Sequence, residues 1–107
     1  MSKQYVNARL EMILTKEELS RIKITKNQFN ILRLIVDLHK MTTREAKKFL
    51  NNLINVLRGN FELKIIHGYN HGTAIKEMLQ NDFCNGKIKG KYVDEYNPGA
   101  TFVTIGI

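Results

Sequence analysis

Two short apolar runs with one amphipathic helix between them constrain this chain more than any other feature. Ile31-Leu32-Arg33-Leu34-Ile35-Val36-Asp37-Leu38 has the branched, nearly continuous apolar character of a largely buried strand. Thr42-Thr43-Arg44-Glu45 then reads as a capping box: a threonine oxygen takes an early backbone N–H and the glutamate reaches back. Behind it Ala46, Phe49, Leu50, Leu53, Ile54 and Leu57 recur at helical spacing. Arg58-Gly59-Asn60 ends that helix, with Gly59 suited to a left-handed cap. Phe61 to His67 reads as the next strand. A strand–helix–strand unit in one sheet crosses over right-handed, which makes its two strands parallel.

The rest of the chain extends this unit. Gly68-Tyr69-Asn70-His71-Gly72 reads as a turn, followed by a helix with Ile75, Met78, Leu79 and Phe83 inward and Gly86 as its stop. Ile88 to Tyr96 is expected as a third core strand. Asn97-Pro98-Gly99-Ala100 is expected as a turn, and Thr101 to Ile105 as a fourth strand and hairpin partner. The expected fold is α/β (α+β in class): a two-layer sandwich of β-α-β-α-β-β order, with a mixed four-stranded sheet and two helices on one face. Residues 1–30 are expected as an N-terminal extension and residues 31–107 as the compact domain. Within the extension, Ala8, Leu10, Met12 and Leu14 alternate, which predicts a strand over Val6–Leu14. Thr15-Lys16-Glu17-Glu18 is another capping box and predicts a short helix to about Ile22, with Lys26-Asn27-Gln28 as a loop.

In such a sheet the strand C-termini and helix N-termini share one edge, where open α/β sheets bind ligands. Asp37-x-His39 and His67-Gly68 both fall there, and Gly72-Thr73 opens a helix beside them. Histidine's ordinary pKa lies closest to neutral, so two convergent imidazoles supply a general base and a general acid. Near an RNA phosphodiester, one would take the 2′-hydroxyl proton and the other would protonate the leaving oxygen. Asp37 follows three consecutive apolar residues, Leu34-Ile35-Val36, and a partly buried carboxylate needs partners; orienting an imidazole is one such role. Free N–H groups at a helix start attract anions, and Gly68 and Gly72 let a phosphate approach the chain. Asp37, His39 and His67 are therefore the candidate catalytic residues. The candidate nucleic-acid contacts are Lys40, Arg44, Gly68, Tyr69, Asn70, Gly72, Thr73 and Lys76. The bland alternatives are specific: His39 satisfying backbone groups at a strand end, Tyr69 packing on its own loop rather than stacking on a base, and His71 exposed in the turn. No cluster has zinc-ligand spacing, so no metal or other cofactor is expected.

The charge balance agrees with a polyanionic partner. Seventeen Lys and Arg against ten Asp and Glu give a formal +7. Arg21, Lys23, Lys26 and Arg33 fall in a stretch with no acid; Lys40, Arg44, Lys47 and Lys48 follow, and Lys87, Lys89 and Lys91 form another group. Phosphate backbones bind such surfaces by counterion release. With 107 residues, 43% of them apolar, the chain suits one domain with one core. No run reaches the ~18–20 apolar residues of a membrane span, and Met1-Ser2-Lys3-Gln4 lacks a secretory apolar region. The single Cys84 is expected as a small core residue, and a reducing cytoplasm as the compartment.

Three motifs, in order, resemble the Smr (small MutS-related) domain family over roughly Leu34 to Ile105. Val36-Asp37-Leu38-His39 is similar to its leucine-aspartate-leucine-histidine-glycine signature. Ile65-Ile66-His67-Gly68, with the following glycine-containing loop and helix, is similar to its histidine-glycine motif. Asn97-Pro98-Gly99-Ala100-Thr101 resembles the turn before its last strand. The resemblance implies the two-layer sandwich also seen in the C-terminal domain of bacterial translation initiation factor 3. It implies nucleic-acid binding and, for many members, RNA endonuclease or DNA-nicking activity, with Asp37 and His39 on the first signature and His67, Gly68 and Gly72 on the second. Lys40 stands where the family has glycine, and Tyr69-Asn70 where it has lysine-glycine. With no MutS-like ATPase region, the chain reads as a stand-alone Smr protein. The expected function is a nuclease using a histidine acid–base pair. The alternatives are a non-catalytic RNA-, DNA- or ribosome-binding module, and an interaction domain whose N-terminal segment docks a partner.

Overall fold

The structure is a computed structural model that describes residues 1–68 and 73–106. Its centre is a five-stranded mixed sheet in the order β1-β2-β3-β5-β4. The strands are β1 (Ile22–Lys26), β2 (Leu32–Asp37), β3 (Phe61–Ile66), β4 (Ile88–Val93) and β5 (Ala100–Ile105). As expected, β2 and β3 run parallel around the helix α3 (Thr43–Val56), and β4 and β5 form an antiparallel hairpin. The last strand, β5, inserts between β3 and β4.

The N-terminal residues correct the expectation. Val6–Leu14 is not a strand. Helix α1 spans Lys3–Ile13, with the Ser2 side chain capping Tyr5 N–H at 3.1 Å. The reason lies in which periodicity is buried: Val6, Leu10 and Leu14 recur every four residues and enter the core, while Ala8 and Met12 face outward. A short apolar run satisfies both periods, and packing chooses between them. The helix also finishes α3: the Arg9 guanidinium donates to the Val56 carbonyl and the Arg58 N–H donates to the Tyr5 hydroxyl. The Thr15 box opens α2 (Lys16–Ser20) as read. Ile22–Lys26 is then a fifth strand, antiparallel to β2, where a helix end and a loop were expected. Among the described residues the sheet therefore has five strands where four were expected, and there are four helices where two core helices and one short N-terminal helix were expected.

Register separates two faces. Leu32, Leu34 and Val36 of β2, Phe61, Leu63 and Ile65 of β3, and Val103 and Ile105 of β5 enter one core with Phe49, Leu50 and Leu53 of α3, Met78 and Leu79 of α4 (Thr73–Asn81), and Val6 and Leu10 of α1. The alternate residues Arg33, Ile35, Asp37, Glu62, Lys64 and Phe102 lie on the other, open face, where they are only partly buried.

Two lysines that the charge count assigned to a polyanion surface serve the fold instead. Lys87 Nζ donates to the carbonyls of Ile54 and Leu57 at the end of α3, at 3.2 and 2.9 Å. Lys91 Nζ donates to the carbonyls of Leu79, in the last turn of α4, and of Phe83 just beyond it. A cation there satisfies orphan carbonyls and complements the helix dipole. Replacing Lys91 with methionine keeps the stem and removes the donor, so urea denaturation should show a loss of about 1–3 kcal/mol. Cys84 is exposed, not a core residue, and the adjacent Phe83 fills the core instead. Among the described residues no helix is long and apolar enough to cross a membrane.

Candidate functional site

The C-terminal end of β2 turns sharply, and its chemistry follows from that turn. Lys40 has φ 66°, the left-handed region, which explains why a glycine suits this position. The turn brings His39 back onto Asp37: the backbone N–H of His39 donates to Asp37 Oδ1 at 3.0 Å, and His39 Nδ1 lies 2.9 Å from the same oxygen. The His39 side chain is 62% exposed and that of Asp37 44%. Partial burial pushes the Asp37 pKa up, but the two hydrogen bonds from His39 and the nearby charges of His39 and Arg21 outweigh it, leaving Asp37 more acidic than an ordinary aspartate.

Arg21, between α2 and β1, fastens this turn. Its Nη1 donates to the carbonyls of Asp37 and His39, at 3.0 and 2.8 Å, while its Nε pairs with Glu17 at 2.7 Å. Its own carbonyl accepts the Asp37 N–H at 2.9 Å. Sequence reading counted Arg21 only as one more cation. The available signal was its place at the end of a capped helix, before the alternating Ile22-Lys23-Ile24 that forms the neighbouring strand.

His67 is built differently. It continues the buried row of β3 and is 3% exposed. Nδ1 lies 2.7 Å from the Gly68 carbonyl and Nε2 lies 2.9 Å from the Thr101 hydroxyl. A carbonyl only accepts, so Nδ1 carries the proton and the Thr101 hydroxyl donates to Nε2. Burial, with Lys76 nearby, lowers the His67 pKa despite the Gly68 bond, which favours this neutral ring. The Gly68 φ of 78° supplies the left-handed step that aims that carbonyl at the ring.

Three motifs meet at this sheet end. The N–H of Leu38 donates to the Ile66 carbonyl, and the N–H groups of His67 and Gly68 both donate to the Gly99 carbonyl. Asn97 Oδ1 in turn accepts the Gly99 N–H. The two histidines share this end but not a face. Asp37, which holds His39, pairs with Ile66 on the open face, whereas His67 belongs to the row facing the helices. Lys40 and Arg44 are exposed beside the Asp37–His39 turn, Thr73 is exposed at the first position of α4, and Lys76 is partly buried on that helix. Tyr69, Asn70, His71 and Gly72 lie outside the described residues. Among the described residues no three His, Cys, Asp or Glu side chains gather as a metal site.

Lys40 offers a separable test. Lys40→Gly removes left-handed strain of about 1–2 kcal/mol but adds a glycine entropy cost of about 0.5–1 kcal/mol. Chemical denaturation should therefore show stability unchanged or raised by up to about 1.5 kcal/mol. A phosphate contact at Lys40, as expected from the sequence, predicts that the substitution lowers the log–log salt slope of nucleic-acid binding by about 1.

No curated protein and no solved structure matches the chain. The Smr domain family model does match, over residues 36–106. That span begins just before the Asp37–His39 turn, includes His67-Gly68, and closes after the Gly99 and Thr101 partners that hold His67 in place. The chain belongs to the Smr domain family, which is generally nucleic-acid-binding with nuclease potential.

Proposed function

We propose that this chain binds nucleic acid and cleaves single-stranded RNA at the Asp37–His39 end of β2. The observation that carries the reading is the 2.9 Å contact between His39 Nδ1 and Asp37 Oδ1 on an exposed turn. The carboxylate holds the Nδ1–H tautomer, which leaves Nε2 as the basic nitrogen and open to substrate. Nε2 takes the proton of a ribose 2′-hydroxyl and the 2′-oxygen attacks the adjacent phosphorus. The bond from phosphorus to the 5′-oxygen breaks, and that oxygen takes a proton from solvent. The products are a 2′,3′-cyclic phosphate and a 5′-hydroxyl. Lys40 and Arg44 offset charge developing on the phosphate. His67 is assigned a positioning role: its neutral ring joins the end of β3 to β5 and fixes Gly68.

The second reading is a binding module without catalysis. It draws on His67, whose two ring nitrogens are both occupied, leaving one open imidazole among the described residues where a pair was expected. Labelled single-stranded RNA incubated with the protein in EDTA separates the two. Products with cyclic ends support cleavage. Binding that weakens steeply with salt and yields no products supports the module.

A further inference from the structure

We infer that the open face of the sheet is a stacking platform for the bases of a single nucleic-acid strand, leading to the Asp37–His39 turn. The inference rests on the proposed function for the class of ligand and adds where the rest of that ligand lies. One register row crosses all five strands on this face: Lys23 pairs with Ile35, Ile35 with Lys64, Lys64 with Phe102, and Phe102 with Tyr92. A groove of about 850 Å³ lies over the Lys64, Phe102 and Tyr92 part of the row, and its lining also includes Arg33, Phe29 and Tyr96. Of the eight exposed large hydrophobic side chains among the described residues, five line this groove: Phe29, Ile31, Tyr92, Val93 and Tyr96. Apolar exposure concentrated on one face marks a binding surface.

The rings are arranged for stacking. A Cβ on Gly90 would lie 2.5 Å from the Tyr92 hydroxyl oxygen and 2.9 Å from its Cζ, so the ring lies back along β4 over Gly90. Tyr92 is nevertheless 54% exposed. The Arg33 guanidinium carbon lies 5.2 Å from the centre of the Phe102 ring and Lys64 Nζ lies 5.7 Å from it. Unstacked bases rest on aromatic rings and on guanidinium planes.

Charge decides what sits where. Arg33 pairs with Glu62 at 2.6 Å, Lys64 lies 3.8 Å from Asp94, and Glu95 adds one more acid to the lining, so the groove floor carries no excess positive charge and suits bases rather than phosphates. Phosphates are left to the exposed cations around it, Lys23 and Lys40 among them, on a chain of net charge +7. Position supplies the link to chemistry. Asp37 is two residues beyond Ile35 on the same strand and face, and two strands from Phe102. Strand rise and spacing put the platform roughly 12 Å from the turn, a span within one single-strand site of ~4–16 nucleotides.

The test uses the full chain and a fluorescein-labelled 12-mer of 2′-O-methyl uridine, which the proposed reaction cannot cut. A 12-mer of abasic residues with the same phosphates is the second probe. Tyr92→Ala and Phe102→Leu should each weaken binding of the uridine strand about tenfold, with the abasic strand unchanged. Thermal melting confirms the fold, and the exposed Tyr92 carries the test if Phe102→Leu does not fold. Equal binding of the uridine strand by wild type and both variants overturns the platform and leaves the nucleic-acid reading standing. So do equal affinities for the two strands. Variants that abolish self-association in sedimentation while binding uridine normally make the face a protein interface and also overturn it. A wild-type protein that binds neither strand overturns both the platform and the proposed function.

Discussion

Replacing His39 with alanine should lower RNA cleavage by about 10²–10⁴-fold, the usual worth of a positioned general base. The fold should not change with it. His39 is exposed and its ring pairs with the Asp37 carboxylate at the surface, so the truncation opens no buried cavity and should cost no more than about 0.5 kcal/mol. Affinity for a non-cleavable strand should stay near wild type, because the proposed binding surface uses the cations and the stacking face rather than the His39 ring. Asp37→Asn should give a smaller loss, since an amide oxygen still accepts the Nδ1–H while the negative charge that favours the imidazolium formed in the step is gone. Single-turnover cleavage in EDTA, with anisotropy on the same variants, measures both effects. A His39→Ala protein that cuts at the wild-type rate places the reacting group elsewhere.

His67 carries the second large effect, and it falls on stability. His67→Ala removes the ring between Gly68 and Thr101, leaves the Thr101 hydroxyl buried without its acceptor and opens a void. Together these should cost about 2–4 kcal/mol by urea denaturation. The pH dependence has a definite sign. Burial lowers the folded pKa of His67 below its ordinary 6.5, so the unfolded chain binds the extra proton first. Its stabilising contribution is present above about 6.5 and is lost as pH falls through the lower, folded value. Asp37, also lowered, acts in a different window, losing its contribution only as pH falls from about 3.8 downward. Denaturation of wild type and His67→Asn across mildly acidic pH isolates the imidazole: wild type should slope there and the asparagine variant should not. A flat wild-type profile contradicts the buried neutral ring. His67→Asn should retain cleavage within about tenfold, whereas loss of a general acid would cost about 10²-fold or more.

The parts of this protein that were legible in its sequence are those set by local signals. Both Thr–Glu capping boxes, the periodic stripe of α3, the apolar runs of β2 and β3, and the Asn97-Pro98-Gly99 turn each encode their structure within a few residues. The Asp37–His39 contact belongs with them, since a strand end and a tight turn bring them together. What escaped was decided by partners distant in the chain. Val6, Leu10 and Leu14 form a helical stripe only because α3 is there to receive it. Ile22–Lys26 becomes a strand because β2 has a free edge. Lys87 and Lys91 leave the basic surface because helix ends 8–33 residues away need donors. His67 matches its family signature, yet β3 alternation turns it inward to Thr101, a residue 34 positions away. Motif resemblance located the residue, and register determined what its ring can reach.

The central claim is that an aspartate-held imidazole on the open face activates a ribose hydroxyl. End-group analysis on a DNA oligonucleotide carrying one ribose tests it most directly, in EDTA, with wild type and His39→Ala side by side. The account predicts one cut, on the 3′ side of the ribose, leaving a 2′,3′-cyclic phosphate and a 5′-hydroxyl, made by wild type and not by the variant. A 5′-phosphate at the cut, a nick elsewhere in the DNA, or equal cutting by His39→Ala would contradict it.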